Sequence, residues 1–356
     1  MTLEDIGYTS NLEKFRHEQN LDDYDIGRVV SEHKERYIVR TVKGEFEAEI
    51  TGNMRFTAKN REDFPAVGDW VALKTDSVDF VIIYKIFPRF STLKRQAVGQ
   101  FAEIQIIATN IDYALIIQAV DRDFNVNRLE RYLTICNAGN VGSIIILNKT
   151  DLIDESQLSQ IVDRIKHRIK NVPIFAISNQ TKHGFEDLLE VIERGKTYCL
   201  LGSSGVGKST LINNLSGEAL MKTDAISTAS NKGKHVTSHR ELIVLKAGGV
   251  LIDNPGMREV GVADAASGID TTFDEILMLS QQCKFEDCTH GNEKGCAVRN
   301  ALEDGTLDGA SFENYQKIEK EREHFESTIA EKREKEKMFG RVLKEYYKKD
   351  VKQRKV

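Results

Sequence analysis

Gly202-Ser203-Ser204-Gly205-Val206-Gly207-Lys208-Ser209-Thr210 is the stretch that decides the fold. It fits G-x-x-x-x-G-K-[ST], in which glycines let backbone N–H groups cradle phosphates, Lys208 reaches the β and γ oxygens, and the Ser209 hydroxyl binds Mg²⁺. The apolar run Tyr198-Cys199-Leu200-Leu201 ahead of it reads as a buried strand, and Leu211, Ile212 and Leu215 behind it recur at helical spacing. Strand, loop and helix start together make an anion site.

Upstream, Ser143-Ile144-Ile145-Ile146-Leu147 reads as a strand covered on both faces, and it ends at Asn148-Lys149-Thr150-Asp151. Ligands of open α/β sheets bind at strand carboxyl ends. The Asp151 carboxylate can accept from guanine N1–H and the 2-amino group, neither of which adenine offers. A further strand, Val172 to Ile177, ends at Ser178-Asn179, whose backbone can meet the guanine oxygen. Downstream, Val250-Leu251-Ile252 ends at Asp253-Asn254-Pro255-Gly256. Asp253 is expected to hold Mg²⁺ through water, and the Gly256 amide can approach the γ-phosphate because no Cβ obstructs it.

These are the parts of a GTP site in a rotated order. An ordinary GTPase runs phosphate loop, switch threonine, Asp-x-x-Gly and then Asn-Lys-x-Asp, so this chain is cut between the third and fourth motifs. The polar segment Asn231 to Arg240 between phosphate loop and Asp253 suits a switch loop that carries a hydroxyl to Mg²⁺, with Thr237 the expected ligand and Ser238 the alternative. Met257 stands where Ras-like enzymes place the water-orienting Gln, so intrinsic hydrolysis is expected to be slow. His235 either orients the water or contacts a partner.

Further outward, about five short apolar–polar runs between residues 25 and 88 predict a small β-barrel, an OB-fold or an SH3-like one, with Trp70 in a core. From residue 104 strands alternate with helices, the pattern of an α/β domain. Cys136 and Cys199 lie in apolar segments and read as core packing. Cys283, Cys288, His290 and Cys296 instead cluster in a polar stretch, as expected for a closed Cys₃His zinc site. The expected boundaries are an N-terminal extension over 1–24, the barrel over 25–95, the permuted GTPase domain over 96–265, and a mostly helical zinc-binding domain with a basic tail over 266–356.

The 356 residues carry a formal charge of −5, which argues against a uniformly basic nucleic-acid binder. Residues 331–356 nonetheless hold eleven Lys/Arg against five Asp/Glu, with Tyr346 and Tyr347 among them. That tail is either a solvated helix face or an RNA contact. No apolar stretch approaches the ~18 residues of a membrane span and the first residues lack a signal-peptide pattern, so a cytoplasmic location is expected; a monomer is expected as well.

Barrel, rotated GTPase motifs and Cys/His cluster in this order closely resemble the bacterial circularly permuted family of ribosome small-subunit-dependent GTPase A. Val67-Gly68-Asp69-Trp70-Val71, Pro88-Arg89 and Leu93-Lys94-Arg95 carry the likeness further. The resemblance implies an OB-fold barrel, one zinc per chain, Mg²⁺ with GTP, and Gly233, His235 and Thr237 as switch residues. It also implies action late in 30S subunit maturation, binding to 16S rRNA near the decoding region, and release on subunit-stimulated GTP hydrolysis. Against the family's Gly-Arg-His-Thr-Thr-Thr, this chain has Lys234, Val236 and Ser238; Asn179 replaces a small Ala. Two other functions compete: an RNA-binding checkpoint whose turnover is incidental, and a P-loop phosphotransferase, against which Asn148 to Asp151 argues.

Overall fold

In this computed structural model, residues 1–33, 36–77, 79–96, 104–121, 124–217, 241–253, 265–327 and 338 are described. A 3₁₀ turn at Glu4–Ile6 and helix α1 (Ser10–Glu18) lead into the barrel. Its strands are β1 (Asp25–His33), β2 (Arg36–Thr41), β3 (Gly44–Ile50), β4 (Trp70–Thr75) and β5 (Phe80–Ile86), with the short helix α2 (Gly52–Thr57) between β3 and β4. They close in the order β1-β2-β3-β5-β4, with β4 returning to β1 and β3 running parallel to β5. That five-stranded Greek-key closure is the OB-fold. Its interior is filled by Val29, Tyr37, Val39, Ala48, Val71, Leu73, Val81 and Ile83, residues set at the period of two that a one-faced strand requires.

A hairpin of β6 (Thr92–Gln96) and β7 (Ile104–Thr109) connects the barrel to a six-stranded sheet. The sheet contains β8 (Tyr113–Ala119), β9 (Gly142–Asn148), β10 (Ile174–Ala176), β11 (Thr197–Leu201), β12 (Glu241–Val244) and β13 (Val250–Asp253), in the order β10-β9-β8-β11-β13-β12. All neighbours are parallel except β12 with β13. From β8 the chain first builds outward to β9 and β10, then crosses to β11 and β13. Such a reversal opens a crevice at the strand carboxyl ends, here between β8 and β11.

Both faces of this sheet are covered, which is why its strands read as unbroken apolar runs. Ile116, Ile145, Cys199 and Ile252 face one side with helices α3 (Val126–Ala138) and α4 (Glu155–Arg168), while Leu115, Ile146, Leu200 and Leu251 face α5 (Phe185–Glu190) and α6 (Lys208–Ser216). Cys136 and Cys199 are fully buried, and burial pushes the Cys136 thiol up to about 12. The C-terminal part holds α7 (Ala266–Thr272), α8 (Asp274–Ser280), α9 (Ala297–Glu303) and a helix over residues 309–327. It has its own core of Ile269, Phe273, Ile276, Val298 and Ile318.

Two polar nodes seat the outer parts on the sheet. Arg28 of β1 is buried, and its guanidinium donates to Gly68 O at 3.1 Å, Asn110 O at 2.9 Å, Thr197 Oγ1 at 2.9 Å and Ile6 O, with its plane over Trp70. Separately, Glu130 of α3 is buried and accepts from Arg168, Ser311 and Asn314, which ties the helix at 309–327 to the sheet domain. Next to it α7 crosses α3 so closely that a Cβ on Gly268 would stand 2.1 Å from Thr134 O, so only glycine fits. Trp70 is buried as expected, but in the seam between barrel and sheet with Tyr8, Phe87 and Leu93 rather than inside the barrel. Residues 1–24, read from sequence as an extension, contribute Ile6, Tyr8, Leu12 and Leu21 to that seam.

Candidate nucleotide site and metal centre

The phosphate loop leaves β11 at Leu201 and enters α6 at Lys208, so its backbone is held at both ends by regular structure. Lys208 is buried and its Nζ donates to Gly202 O at 2.7 Å and Ser203 O at 2.6 Å, which aims the ammonium across the loop. Gly207 caps α6 at φ +99°, and a Cβ there would meet Asn148 Nδ2 at 2.3 Å. Left-handed backbone and close approach both require glycine at that position. Ser209 and Thr210 occupy the first turn of α6, where N–H groups lack helical partners.

Asn148 is the last residue of β9, and its Nδ2 donates to Val206 O at 2.7 Å, which brings the base-side motif onto the phosphate loop. Lys149 takes a left-handed conformation (φ +67°), and its Nζ pairs with Asp121 Oδ2 at 2.7 Å. Thr150 N–H is held by Ile177 O. Ser178 is buried; its hydroxyl donates to Asp151 Oδ1 at 2.6 Å and accepts from the N–H groups of Gln180 and Thr181. The Asp151 carboxylate is therefore oriented by the loop after β10. Asn179 N–H donates to Asn148 Oδ1 at 3.2 Å, and its side chain reaches Gly207 O. Asp253 ends β13, buried beside β11 at the same end of the sheet.

The structure thus brings Asn148, Lys149, Thr150, Asp151, Ser178, Asn179, the loop from Gly202 to Thr210 and Asp253 to one end of the sheet. Gly233, Lys234, His235, Val236, Thr237, Ser238, Gly256 and Met257 lie outside the described residues, as does the basic tail from residue 339 onward. Sequence reasoning missed Asp121 and Asn214, which approach the site from after β8 and from α6. Asp121 sits just beyond a strand's carboxyl end, which was the available signal.

The second cluster lies beyond α8. Cys283, Cys288, His290 and Cys296 bring their ligand atoms within 4.8 Å of one another. A zinc–sulfur bond of about 2.3 Å and tetrahedral angles put two sulfurs about 3.8 Å apart and a sulfur and nitrogen about 3.6 Å apart. Cys283 Sγ stands 3.8 Å from Cys296 Sγ, and His290 Nδ1 stands 3.7 Å and 3.4 Å from those sulfurs. The donor set fits a tetrahedral metal ion. The His290 N–H lowers the Cys288 thiol, but burial and the neighbouring thiols outweigh it and push Cys288 up to about 11. Burial opposes ionisation of Cys283, yet the Val298 and Ala297 N–H groups and the adjacent thiols leave it below the ordinary thiol range. Burial lowers His290, keeping the imidazole neutral as a ligand must be.

A family model described as RsgA GTPase matches residues 86–263. An ABC transporter model matches residues 185–356, which include the phosphate loop common to many nucleotide-binding proteins. Among the described residues no helix is long and apolar enough to cross a membrane. The chain is 41% identical over 322 residues to small ribosomal subunit biogenesis GTPase RsgA 2 of Listeria monocytogenes, covering 90% of this chain and 89% of that one. It is 37% identical over 339 residues to small ribosomal subunit biogenesis GTPase RsgA 1 of Bacteroides thetaiotaomicron, covering 95% of each. The crystal structure of YjeQ from Thermotoga maritima superimposes with a TM-score of 0.61 at 24% identity over 86% of this chain and 98% of that one. YloQ, described as a circularly permuted GTPase, gives 0.60 at 22% identity over 84% and 96%. Full-length relatives at this identity, and a family model across the permuted sheet, establish that the chain belongs to the RsgA GTPase family and is a GTP hydrolase.

Proposed function

We propose that this GTPase acts late in maturation of the small ribosomal subunit, binding 16S rRNA of the 30S particle near the decoding region and leaving after the particle stimulates GTP hydrolysis. The observation that carries this reading is the meeting of Asn148 to Asp151, the phosphate loop and Asp253 at one end of the sheet, in a chain that also has an OB-fold and a Cys₃His cluster able to hold a metal ion. Relatives named for small-subunit biogenesis across the whole chain support the partner.

In this reading Asp151, set by Ser178, reads the guanine edge, with the backbone at Ser178 and Asn179 meeting its oxygen. The N–H groups of Gly202 to Thr210 cradle the phosphates, and Lys208 turns its ammonium from loop carbonyls to the β and γ oxygens. Ser209, Thr237 and Asp253 would hold Mg²⁺, which would supply positive charge to offset that of the phosphates. Gly256 contacts the γ-phosphate through its amide, and His235 positions the attacking water because Met257 offers no donor. Cys283, Cys288, His290 and Cys296 hold one zinc as a structural ion. The protein works as a cytoplasmic monomer.

Single-turnover GTP hydrolysis with and without saturating purified 30S subunits tests this. Subunits are expected to raise the rate by about a hundredfold or more, the range of a well-placed water-orienting group. His235→Ala is expected to keep GTP and 30S binding while losing most of that increase. No stimulation would overturn the proposal, and GTP-locked protein supporting repeated rounds of maturation would favour the checkpoint reading. Wild-type stimulated turnover in His235→Ala would leave His235 a contact residue only.

A further inference from the structure

Asn179 is half-buried in the loop after β10, and its side chain bridges that loop to the phosphate loop and to α6. Its Nδ2 donates to Gly207 O at 2.9 Å. Asn214 of α6 donates from Nδ2 to Asn179 Oδ1 at 3.2 Å and to Asn179 O at 3.3 Å, and Lys182 in turn donates to Asn214 Oδ1. Asn148 holds the preceding carbonyl, Val206 O, at 2.7 Å. Two amides from the base side thus grip two successive carbonyls of the phosphate loop.

A carbonyl oxygen has two lone pairs. One on Gly207 takes the first bond of α6, from Leu211 N–H at 2.9 Å, and the other takes Asn179. Because a trans peptide is planar, its N–H points opposite to its C=O. Holding the Gly207 carbonyl toward Asn179 therefore fixes the Lys208 N–H in the opposite direction, and Asn148 does the same for the Gly207 N–H. Both are donors at the start of a helix, the kind that bind phosphate oxygens.

We propose that Asn179 is a positioning residue that couples the two halves of the nucleotide site. Its amide ties the guanine-side loop to the peptide bearing Lys208, so base and phosphate contacts hold or open together and bound GDP leaves slowly. Without that tie the halves are still joined through Asn148 and Val206 O, but the Lys208 peptide is no longer held and part of the advantage of a preorganised site is lost. The inference rests on the nucleotide reading above.

Release of a fluorescent mant-GDP from the full-length protein, followed by stopped flow, tests it. Asn179→Ala is expected to speed release about fivefold to tenfold, the effect of one lost amide–carbonyl bond with Asn214 left short of a partner. Asn179→Asp keeps the size but sets a carboxylate against the Gly207 carbonyl, and is expected to release at least as fast. Inorganic pyrophosphate carries no base, yet its competition against mant-GDP should weaken in both variants through the loosened Lys208 peptide. Release within about twofold of wild type in both variants, well under the loss of one hydrogen bond, overturns the proposal. Faster release with unchanged pyrophosphate competition overturns the coupling, since Asn179 would then serve the base alone. Wild-type protein that captures no mant-GDP overturns the nucleotide reading itself, and is seen before any variant is made.

Discussion

Asp151 shows how a single side chain acquires its selectivity from neighbours. The Ser178 hydroxyl donates to Oδ1 at 2.6 Å, so the carboxylate is fixed in one orientation with its remaining lone pairs available to a base. An amide in its place has one acceptor and a misplaced donor. Asp151→Asn is therefore expected to lower the preference for GTP over XTP by about tenfold or more, in line with the penalty for an unmatched polar pair. Competition binding with the two nucleotides reads the ratio directly, and an unchanged ratio would remove Asp151 from the base site. The motif residues themselves were legible because their chemistry is local to four or eight positions. Their supports were not. Asp121 behind Lys149, Asn214 behind Asn179 and Val206 O behind Asn148 come from 28 to 58 residues away, and no periodicity marks such pairs.

Among the elements, the connection between α8 and α9 carries the proposed zinc site. Cys283 follows α8, Cys288 and His290 lie in the connection, and Cys296 caps α9 by accepting from Arg299 N–H. His290 adopts φ +60°, a conformation that a ligand bond can hold. Metal binding at such a site becomes folding free energy. Cys288→Ser is expected to release the ion and raise hydrogen exchange in α8, α9 and residues 309–327, with GDP affinity within about twofold because ordinary single substitutions far from a site add little. Elemental analysis that finds no zinc in the wild type would defeat the assignment. In the same part α7 and α8 meet at Phe273, whose backbone leaves the helical region (φ −116°, ψ 38°). Its buried ring joins the core of this part, so tertiary packing sets a break that helical periodicity does not reveal.

For the whole molecule, the order of parts along the chain was readable and their seating was not. Short strands with alternating burial announced the barrel, and unbroken apolar strands announced a doubly covered sheet. The first residues carry no motif, yet Ile6 and Leu12 help to close the seam, which only a partner surface in three dimensions explains. Arg28 is the strongest case. Burial draws its guanidinium down to about 10 against the pull of Asp112 and Asp69, so it stays charged at neutral pH. Its acceptors lie 22, 40, 82 and 169 residues along the chain. Removing a buried charge partner of this kind leaves several acceptors unmatched, and Arg28→Met is expected to destabilise the full chain by about 3–5 kcal/mol. A change within about 0.5 kcal/mol in chemical denaturation, the range of an ordinary surface site, would show that the node is only filler.

The spread of those acceptors has a consequence for how the chain reaches its final form. During synthesis the barrel emerges before Thr197 exists, so Arg28 first meets water and can be enclosed only when β11 arrives. Enclosure of this one cation is thus a late event with long loop closures behind it. The seam between barrel and sheet should be the last surface to dry, and in refolding experiments the Arg28→Met substitution should act mainly on the unfolding rate, leaving the early steps of folding nearly unchanged.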